Sequence, residues 1–130
     1  MKMIRINPPD VPRDPPYTRI VTAEGPMKLC YFSGQTPQSD DMGCIAPGDL
    51  RAQYLFIMEK IALQLRVVGA DWSNVTHRRL YLTDWDAWDK VRDDLPQYFD
   101  ELPSSTEIGV VRLSHPDFMI EIDVIAVVPA

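Results

Sequence analysis

The sequence is short of basic residues and of long apolar runs. Its 130 residues include 13 Lys and Arg against 19 Asp and Glu, which gives a formal net charge of −6 at pH 7. A nucleic-acid partner would need a clustered excess of Lys and Arg, so the charge balance argues against one. No apolar stretch is long enough to span a bilayer, and the N-terminus lacks the apolar core of a signal peptide. We therefore expect no membrane partner and a cytoplasmic location.

Cysteine is also scarce, and the histidines are isolated. Cys30 and Cys44 do not have the C-x-x-C spacing of a metal or redox site, so we expect two free thiols. The two histidines have no companion at metal-ligand spacing, which predicts no metal site. Neither Ser33 nor Ser105 has the companions of a Ser-His-Asp arrangement, so nucleophilic catalysis is not expected.

Proline, in contrast, is abundant and unevenly placed. Six of the 12 prolines precede residue 27, and each biases the residue before it away from helix. This predicts an extended strap over residues 1–16, which includes a short edge strand over residues 1–7. A single domain over residues 17–130 follows it.

The first half of that domain combines strand and helix patterns. β-rich runs over residues 17–24 and 28–33 predict a hairpin. Apolar residues at three- and four-residue spacing then predict a helix from Leu50 to Val68. Asp49 is placed to cap the start of this helix, and Gly69 is placed just past its end.

The second half continues the alternation and ends in strands. Three strand patterns follow the first helix, over residues 75–82, 106–113 and 118–128. After the first of them, Thr83 or Asp84 can cap a second helix that breaks near Pro96. The last two strand patterns predict a second hairpin. The order β-β-α-β-α-β-β predicts an α/β (α+β) two-layer sandwich with both helices on one face of one sheet.

The last strand carries carboxylates in an apolar run. Side chains alternate between the faces of a strand, so one face is wholly apolar and the other carries Glu121 and Asp123. A carboxylate among apolar residues is costly to desolvate without a partner. That face is therefore open to water, or it lines a polar pocket or a subunit interface. Because no element is left to cover it, we expect self-association.

The order of the elements and a set of short strings resemble the Rid (RidA) family, also called YjgF or L-PSP proteins. The matching strings are Pro16-Tyr17, Ser33-Gly34-Gln35-Thr36-Pro37, Val68-Gly69-Ala70, Asn74-Val75, Leu82-Thr83-Asp84, Tyr98-Phe99, Pro103, Val110-Val111-Arg112-Leu113 and Ile120–Val127. The resemblance implies a chorismate-mutase-like, or YjgF-like, fold and a homotrimeric barrel with ligand pockets at the subunit interfaces. It also implies hydrolysis of reactive enamines and imines to 2-oxo acids and ammonia, a deaminase chemistry without metal or cofactor.

The resemblance further implies a set of pocket residues. Tyr17 and Ser33 match pocket-lining positions, and Glu121 matches a glutamate that positions the attacking water. Deaminating members bind the substrate carboxylate with an arginine where this chain has Ser105, and Glu107 stands two residues further on. A guanidinium offers a charged, bidentate fork, whereas serine offers one neutral hydroxyl. We therefore expect Ser105 and Glu107 to meet a neutral or cationic small-molecule ligand rather than a typical 2-imino acid.

The sequence leaves alternatives open for several of these residues. Glu121 is either the water-positioning base or an interface ion-pair partner of Arg79 or Arg112 from a neighbouring subunit. Glu107 and Glu121 could form an acid–base pair, although salt-bridged or solvated glutamates are commoner. Arg79 could replace the missing arginine, although pairing with an Asp or Glu is the expected role.

Three functions follow from these residues. The first is a possible hydrolase of the imine- or enamine-deaminase type that binds a small metabolite in a homotrimer. The second is a non-catalytic ligand-sensing or partner-binding trimer of the same fold, which the serine at position 105 favours. The third, the endoribonuclease activity of some relatives, is disfavoured by the acidic charge balance.

Overall fold

The computed structural model of the chain describes residues 1–12 and 17–130. Its strands are β1 (Lys2–Ile6), β2 (Ile20–Glu24), β3 (Met27–Tyr31), β4 (Val75–Leu82), β5 (Ser104–Gly109) and β6 (Ile120–Pro129). Its helices are α1 (Leu50–Val67) and α2 (Trp85–Val91), with short 3-10 turns at Trp72–Asn74 and Arg92–Asp94. Part of the predicted strap lies outside the described residues, whereas its predicted edge strand is present as β1. Within the two described ranges, no helix is long and apolar enough to cross a membrane.

The strands form two sheets rather than the single predicted one. β3, β6, β4 and β5 are hydrogen-bonded in that order, with β4 and β5 parallel and the other neighbours antiparallel. β1 and β2 form a separate antiparallel pair. The element order is the predicted one with β1 added in front, and the mixed α+β class is confirmed.

Both predicted hairpins are wrong, for the same physical reason. β2 pairs with β1 whereas β3 pairs with β6, so two consecutive strands join different sheets. β5 stops at Gly109 and pairs in parallel with β4, while β6 pairs with β3 and β4. A strand–helix–strand crossover such as β4–α2–β5 joins its two strands in parallel. Packing over the whole chain, and not the nearest turn, therefore selects the partner of each strand.

Both helices begin at their predicted caps. The Asp49 side chain accepts a hydrogen bond from Ala52 N at 3.0 Å, and the Asp84 side chain accepts one from Ala87 N at 3.0 Å. Just past the end of α1, Gly69 has a φ of 76°, a left-handed conformation that favours glycine. The bounds of α1 therefore follow from local chemistry alone.

The second helix is shorter than its sequence pattern predicts. It ends at Val91 and tightens into a 3-10 turn, after which Leu95 adopts an extended conformation ahead of Pro96. A residue before proline is biased away from the helical conformation, so the helix does not run through this point. The two tryptophans of this helix differ in burial, because Trp88 is in the core whereas 40% of the surface of Trp85 is exposed.

The hydrophobic core lies between α1 and the four-stranded sheet. α1 contributes the buried residues Leu50, Tyr54, Ile57, Met58, Ile61 and Leu65, and the sheet contributes Leu80, Leu82, Ile120, Ile122, Val124 and Ala126. We call this side of the sheet the helix side, and the other the outer side.

Strand register divides the predicted pocket residues between these two sides. Side chains alternate along a strand, and residues paired across two strands share a side. The core residue Leu80 pairs with Glu107, so Glu107 and Ser105, two residues earlier, lie on the helix side. Tyr81 pairs with Glu121, which therefore lies on the outer side.

Candidate functional site

Glu121 is a half-buried carboxylate without a partner in the described part of the chain. It lies so close to Gly34 that a Cβ at that position would overlap its carboxylate. Burial raises the pKa of Glu121 above its ordinary value, and the negative charge of Asp123 raises this pKa further. A raised pKa makes the carboxylate a stronger proton acceptor than an exposed glutamate.

The segment that follows β3 is held beside Glu121 by hydrogen bonds. Gln35 N donates to Ile122 O at 2.8 Å, and Ile122 N donates to Gln35 O at 3.0 Å. The Gln35 amide nitrogen donates to Ser33 O at 2.8 Å, and its amide oxygen accepts from the Gln64 amide at 2.9 Å. These bonds fix the backbone around Gly34 against β6. The exposed Ser33 thus lies in the same region as Glu121.

Both carboxylate oxygens of Asp123, the other acidic residue on the outer side of β6, accept hydrogen bonds. Arg79 Nε donates to Asp123 Oδ1 at 2.9 Å, and the Tyr81 hydroxyl donates to Asp123 Oδ2 at 3.0 Å. The expected structural pairing of Arg79 with an acidic residue is confirmed. Burial raises the pKa of Tyr81, and its hydrogen bond to Asp123 acts in the same direction. Asp123 therefore serves structure, which leaves Glu121 as the available carboxylate.

A cavity of about 380 Å³ opens on the helix side of the sheet beside α2. We call it the helix-side cavity, and its aromatic lining consists of Tyr54, Trp88, Tyr98 and Phe99. Arg78 Nε donates to the Ser105 hydroxyl at 3.0 Å. Glu107, which lines the cavity, accepts a hydrogen bond from Arg92 Nη2 at 2.9 Å.

Glu107 and Glu121 do not form an acid–base pair within one protomer, and for Glu107 the salt-bridged alternative, which the sequence favoured, is confirmed. The two carboxylates lie on opposite sides of the sheet, and Glu107 is paired with Arg92 instead. The neighbouring charge that raises the pKa of Glu121 comes from Asp123. The sequence could not exclude the pair, because it depends on the register of β4 with its two neighbours.

Tyr17 lies near the start of β5. The next residue, Thr18, donates from its backbone N to Pro103 O at 3.3 Å and from its hydroxyl to Leu102 O at 2.6 Å. Arg19 lies over the Tyr17 ring at 5.8 Å from the ring centroid. Tyr17 is therefore at the β5 edge of the sheet, whereas Ser33 lies beside β6.

Sequence reasoning missed the charged lining of the helix-side cavity. The sequence patterns assigned no site role to Arg78, Arg92 or Tyr54. Alternation along β4 could have found Arg78, because Arg78 and the core residue Leu80 must share a side. A positive charge on the core side of a strand is rare enough to require an explanation.

The remaining metal-binding residue types give no site in the described ranges. Cys30 and Cys44 are both free thiols, as predicted. Over residues 1–12 and 17–130, no three His, Cys, Asp or Glu side chains are arranged to hold a metal ion.

The fold and the polar residues define a class: a small α+β protein that has, among its described residues, a half-buried unpaired carboxylate beside Gly34 and an arginine-lined cavity on the helix side of the sheet. A sequence profile described as Endoribonuclease L-PSP matches residues 12–128. The chain belongs to this family, which confirms the resemblance to Rid or YjgF proteins.

Individual relatives cover most of the chain at moderate identity. The 3-aminoacrylate deaminase RutC of Acinetobacter baylyi is 29% identical over 112 residues, which are 86% of this chain and 89% of that protein. The mitochondrial protein mmf2 of Schizosaccharomyces pombe is 29% identical over 97% of this chain and 98% of its own length. The crystal structure of YyfB, a Rid-family protein of unknown function from Yersinia pestis, superposes with a TM-score of 0.79 at 23% identity. That comparison covers 98% of this chain and 100% of the other, and it establishes the fold alone.

Proposed function

We propose that this chain is a cofactor-independent hydrolase that cleaves the C–N bond of a small enamine, imine or related substrate. The observation that carries the proposal is Glu121, a half-buried carboxylate with a raised pKa and no partner among the described residues. A buried charge that serves only structure is normally paired, as Asp123 is. An unpaired one beside a backbone turn is suited to hold a water molecule.

The chemistry needs only this carboxylate and water. Glu121 accepts a proton from the attacking water and passes it to the nitrogen, which has taken up the C=N electron pair, so that a carbinolamine forms. Glu121 then accepts the proton of the carbinolamine hydroxyl and gives it to the amine as the C–N bond breaks. Ammonia leaves and a C=O bond forms, so one water is consumed and Glu121 is regenerated.

The binding part of the proposed site lies elsewhere on the protomer. Ser105 and Glu107 are on the helix side of the sheet, whereas Glu121 is on the outer side. A single pocket that uses all of them needs two protomers, with Tyr17 and Ser33 at its edges. We therefore propose a homotrimer with pockets at the subunit interfaces. Apolar exposure on the outer side supports it, because Leu29 is 50% and Tyr31 73% exposed there.

The substrate differs from a typical 2-imino acid in how it is held. Ser105 offers one neutral hydroxyl, which accepts a hydrogen bond from Arg78 Nε and keeps its own proton to donate. Glu107 is neutralised by Arg92, so its charge repels an anion less than the sequence alone implies. We propose that Ser105 and Glu107 shape the pocket around the ligand without supplying the charge that fixes it.

Ammonia release tests the hydrolase directly. Purified protein should release ammonia from freshly generated 2-iminobutyrate, 2-aminoacrylate or another member of an enamine and imine panel. Glu121→Gln should lower the rate by about 10²–10⁴-fold, the usual contribution of a general base. Glu24→Gln, at an exposed glutamate, is the matched control and should leave the rate unchanged. Equal rates for wild type and Glu121→Gln would refute the proposed role.

A non-catalytic ligand-sensing or partner-binding trimer is the second candidate. The serine at position 105 favours it, because the chain has no charged anchor at that position. A sensor would gain thermal stability with a panel compound yet release no product. A cytoplasmic location and the absence of nucleic-acid partners remain predictions from composition.

A further inference from the structure

The segment that follows β3 forms a bulge against β6. Phe32 N donates to a β6 carbonyl at 3.1 Å, and Gln35 pairs with β6 through two backbone hydrogen bonds on the other side of Asp123. Ser33 and Gly34 lie between these contacts, so two residues of this segment stand opposite one residue of β6. An extra residue of this kind bends the backbone locally and is frequent beside active sites.

The carboxylate of Glu121 lies against this segment, which we call the Ser33–Gly34 bulge. A Cβ on Gly34 would overlap the carboxylate, so backbone rather than a side chain covers it. Burial raises the pKa of Glu121 more than the neighbouring charge of Asp123 does. The position of the bulge therefore sets how much water reaches the carboxylate, and with it how strongly Glu121 holds a proton.

The Gln35 side chain connects the bulge to α1 on the helix side of the sheet. Gln35 pairs with the core residue Ile122, and paired residues share a side. The Gln35 amide nitrogen donates to Ser33 O at 2.8 Å, and its amide oxygen accepts from Gln64 Nε2 at 2.9 Å. Because a carbonyl oxygen can only accept, Gln35 must turn its nitrogen toward Ser33 and its oxygen toward Gln64. The two bonds therefore form one directed chain from α1 to the bulge.

A second side chain of α1 holds the same segment. Lys60 lies one helical turn before Gln64, and its Nζ donates to Thr36 O at 3.1 Å. The Lys60 ammonium also lies over the Phe56 ring, 5.3 Å from the centroid. α1 thus holds the segment at two points, and the bond from Gln64 is the one that continues through Gln35 to the bulge.

We propose that Gln64 is a positioning residue for Glu121: through Gln35, it holds the Ser33–Gly34 bulge against the carboxylate. Gln64 acts at a distance, because its bond to Gln35 is on the helix side of the sheet whereas Glu121 faces the outer side. The inference deepens the proposed function and rests on it for any effect on ammonia release. Its effect on the protonation of Glu121 needs no turnover.

The pKa of Glu121, measured by NMR titration of its carboxyl carbon, tests the inference. Gln64→Met removes the donor but keeps a similar size and helix propensity. The loosened bulge should admit water, so the pKa of Glu121 should fall by about half a pH unit or more. Asp123 and Tyr81 also face Glu121, and the substitution alters neither. Val67→Met, at an exposed position of the same helix, is the matched control and should leave the pKa unchanged.

A double-mutant cycle separates action through Gln35 from a general loosening of α1. Gln35→Met breaks the bond to Ser33 O and should lower the pKa of Glu121 at least as much as Gln64→Met. The double variant should have the same pKa as Gln35→Met alone, because Gln64 then has nothing to act through. Gln64→Ala, which places no new atoms beside Gln35, should show the same fall as Gln64→Met. Additive shifts, or an unchanged pKa in either Gln64 variant, would overturn the inference.

Ammonia release separates this inference from the proposed function. With Glu121 as the base, Gln64→Met should lower kcat by about threefold to tenfold, less than the loss of the base itself, and leave KM nearly unchanged. A base must be deprotonated, so the acid side of the kcat pH profile should move to lower pH together with the pKa. A fall in pKa without any ammonia release from wild type would sink the hydrolase and leave the positioning role. Ammonia release with the same pKa and pH profile in wild type and Gln64→Met would do the reverse.

Discussion

At the scale of single residues, Glu121 is an ionisable group that is costly to bury and has no partner among the described residues. Its carboxylate is half-buried, and burial and Asp123 both raise its pKa. A group whose pKa is higher in the folded than in the unfolded state binds its proton more tightly when folded. The stability that this proton contributes is present below the unfolded pKa and is lost as the pH rises through the folded pKa. At neutral pH, ionised Glu121 therefore weakens the fold.

We predict that Glu121→Gln raises the melting temperature at neutral pH while it removes activity. The amide carries no charge, so it avoids the cost of burying an ionised group beside Asp123. The gain should shrink toward zero in acid, where wild-type Glu121 is itself protonated. Thermal melts across pH, with Glu24→Gln as the exposed control, measure this. A variant less stable than wild type at neutral pH contradicts the prediction.

A glycine is favoured at position 34 because the Glu121 carboxylate comes close to its Cα, and not because the backbone there has a positive φ. We predict that Gly34→Ala destabilises the protein by about 1–3 kcal/mol, since the added methyl group overlaps the Glu121 carboxylate. Activity should fall with it, because Glu121 must move. Gly109→Ala is the matched control, where a Cβ meets Trp85 at an ordinary 3.9 Å. Equal free energies of unfolding for the two variants, measured in denaturant, would refute this prediction.

At the scale of elements, one buried amide connects α1 to two loops. The Gln53 side chain donates to Ala46 O at 3.3 Å and to Asp117 O at 3.0 Å, and accepts from Met119 N at 2.8 Å. Gln53 is fully buried, so it sits in the apolar face of α1 without being apolar. It holds the loops before α1 and before β6 on either side of the helix start.

We predict that Gln53→Leu lowers the free energy of unfolding by about 2–3 kcal/mol, because buried backbone groups on both loops lose their partner. The substitution keeps volume and helix propensity, so the loss reports the hydrogen bonds. Gln97→Leu, at an exposed glutamine, should change stability by less than about 0.5 kcal/mol. Urea unfolding of both variants provides the comparison. Similar losses of unfolding free energy in the two variants would contradict the proposed role of the Gln53 hydrogen bonds.

The elements also show what local sequence can predict. The bounds of α1 and β4 follow from caps and alternation, since Asp49, Gly69 and the β4 pattern are local signals. Both hairpin predictions are wrong because contacts between residues far apart in the sequence select the partner of each strand. The family resemblance, not a local sequence signal, placed Ser105 and Glu107 in the same site as Glu121. Only the register of β4 with β5 and β6 reveals that they face the opposite side.

At the scale of the whole molecule, the two halves of the proposed site lie back to back. Glu121 faces outward beside Gly34, while Ser105 and Glu107 lie on the helix side of the sheet. A trimer with closed cyclic symmetry would bring Glu121 of one subunit to the helix-side residues of the next.

We predict that disrupting the exposed outer face, for example with Tyr31→Lys, yields a monomer that lacks activity. Light scattering and ammonia release on the same sample check both parts, and an active monomer contradicts the shared site.

Complementation between two inactive variants tests the shared site most directly. Glu121→Gln and Ser105→Trp, whose indole would fill the helix-side part of the proposed pocket, each carry their own affinity tag and are co-expressed, and mixed oligomers are isolated through both tags. In a mixed trimer, one interface of three joins an intact Glu121 to an intact Ser105. Our account predicts that each variant alone is inactive and that the mixture recovers roughly one third of the wild-type ammonia release. Mixed oligomers that remain as inactive as their parents would contradict a site shared between subunits.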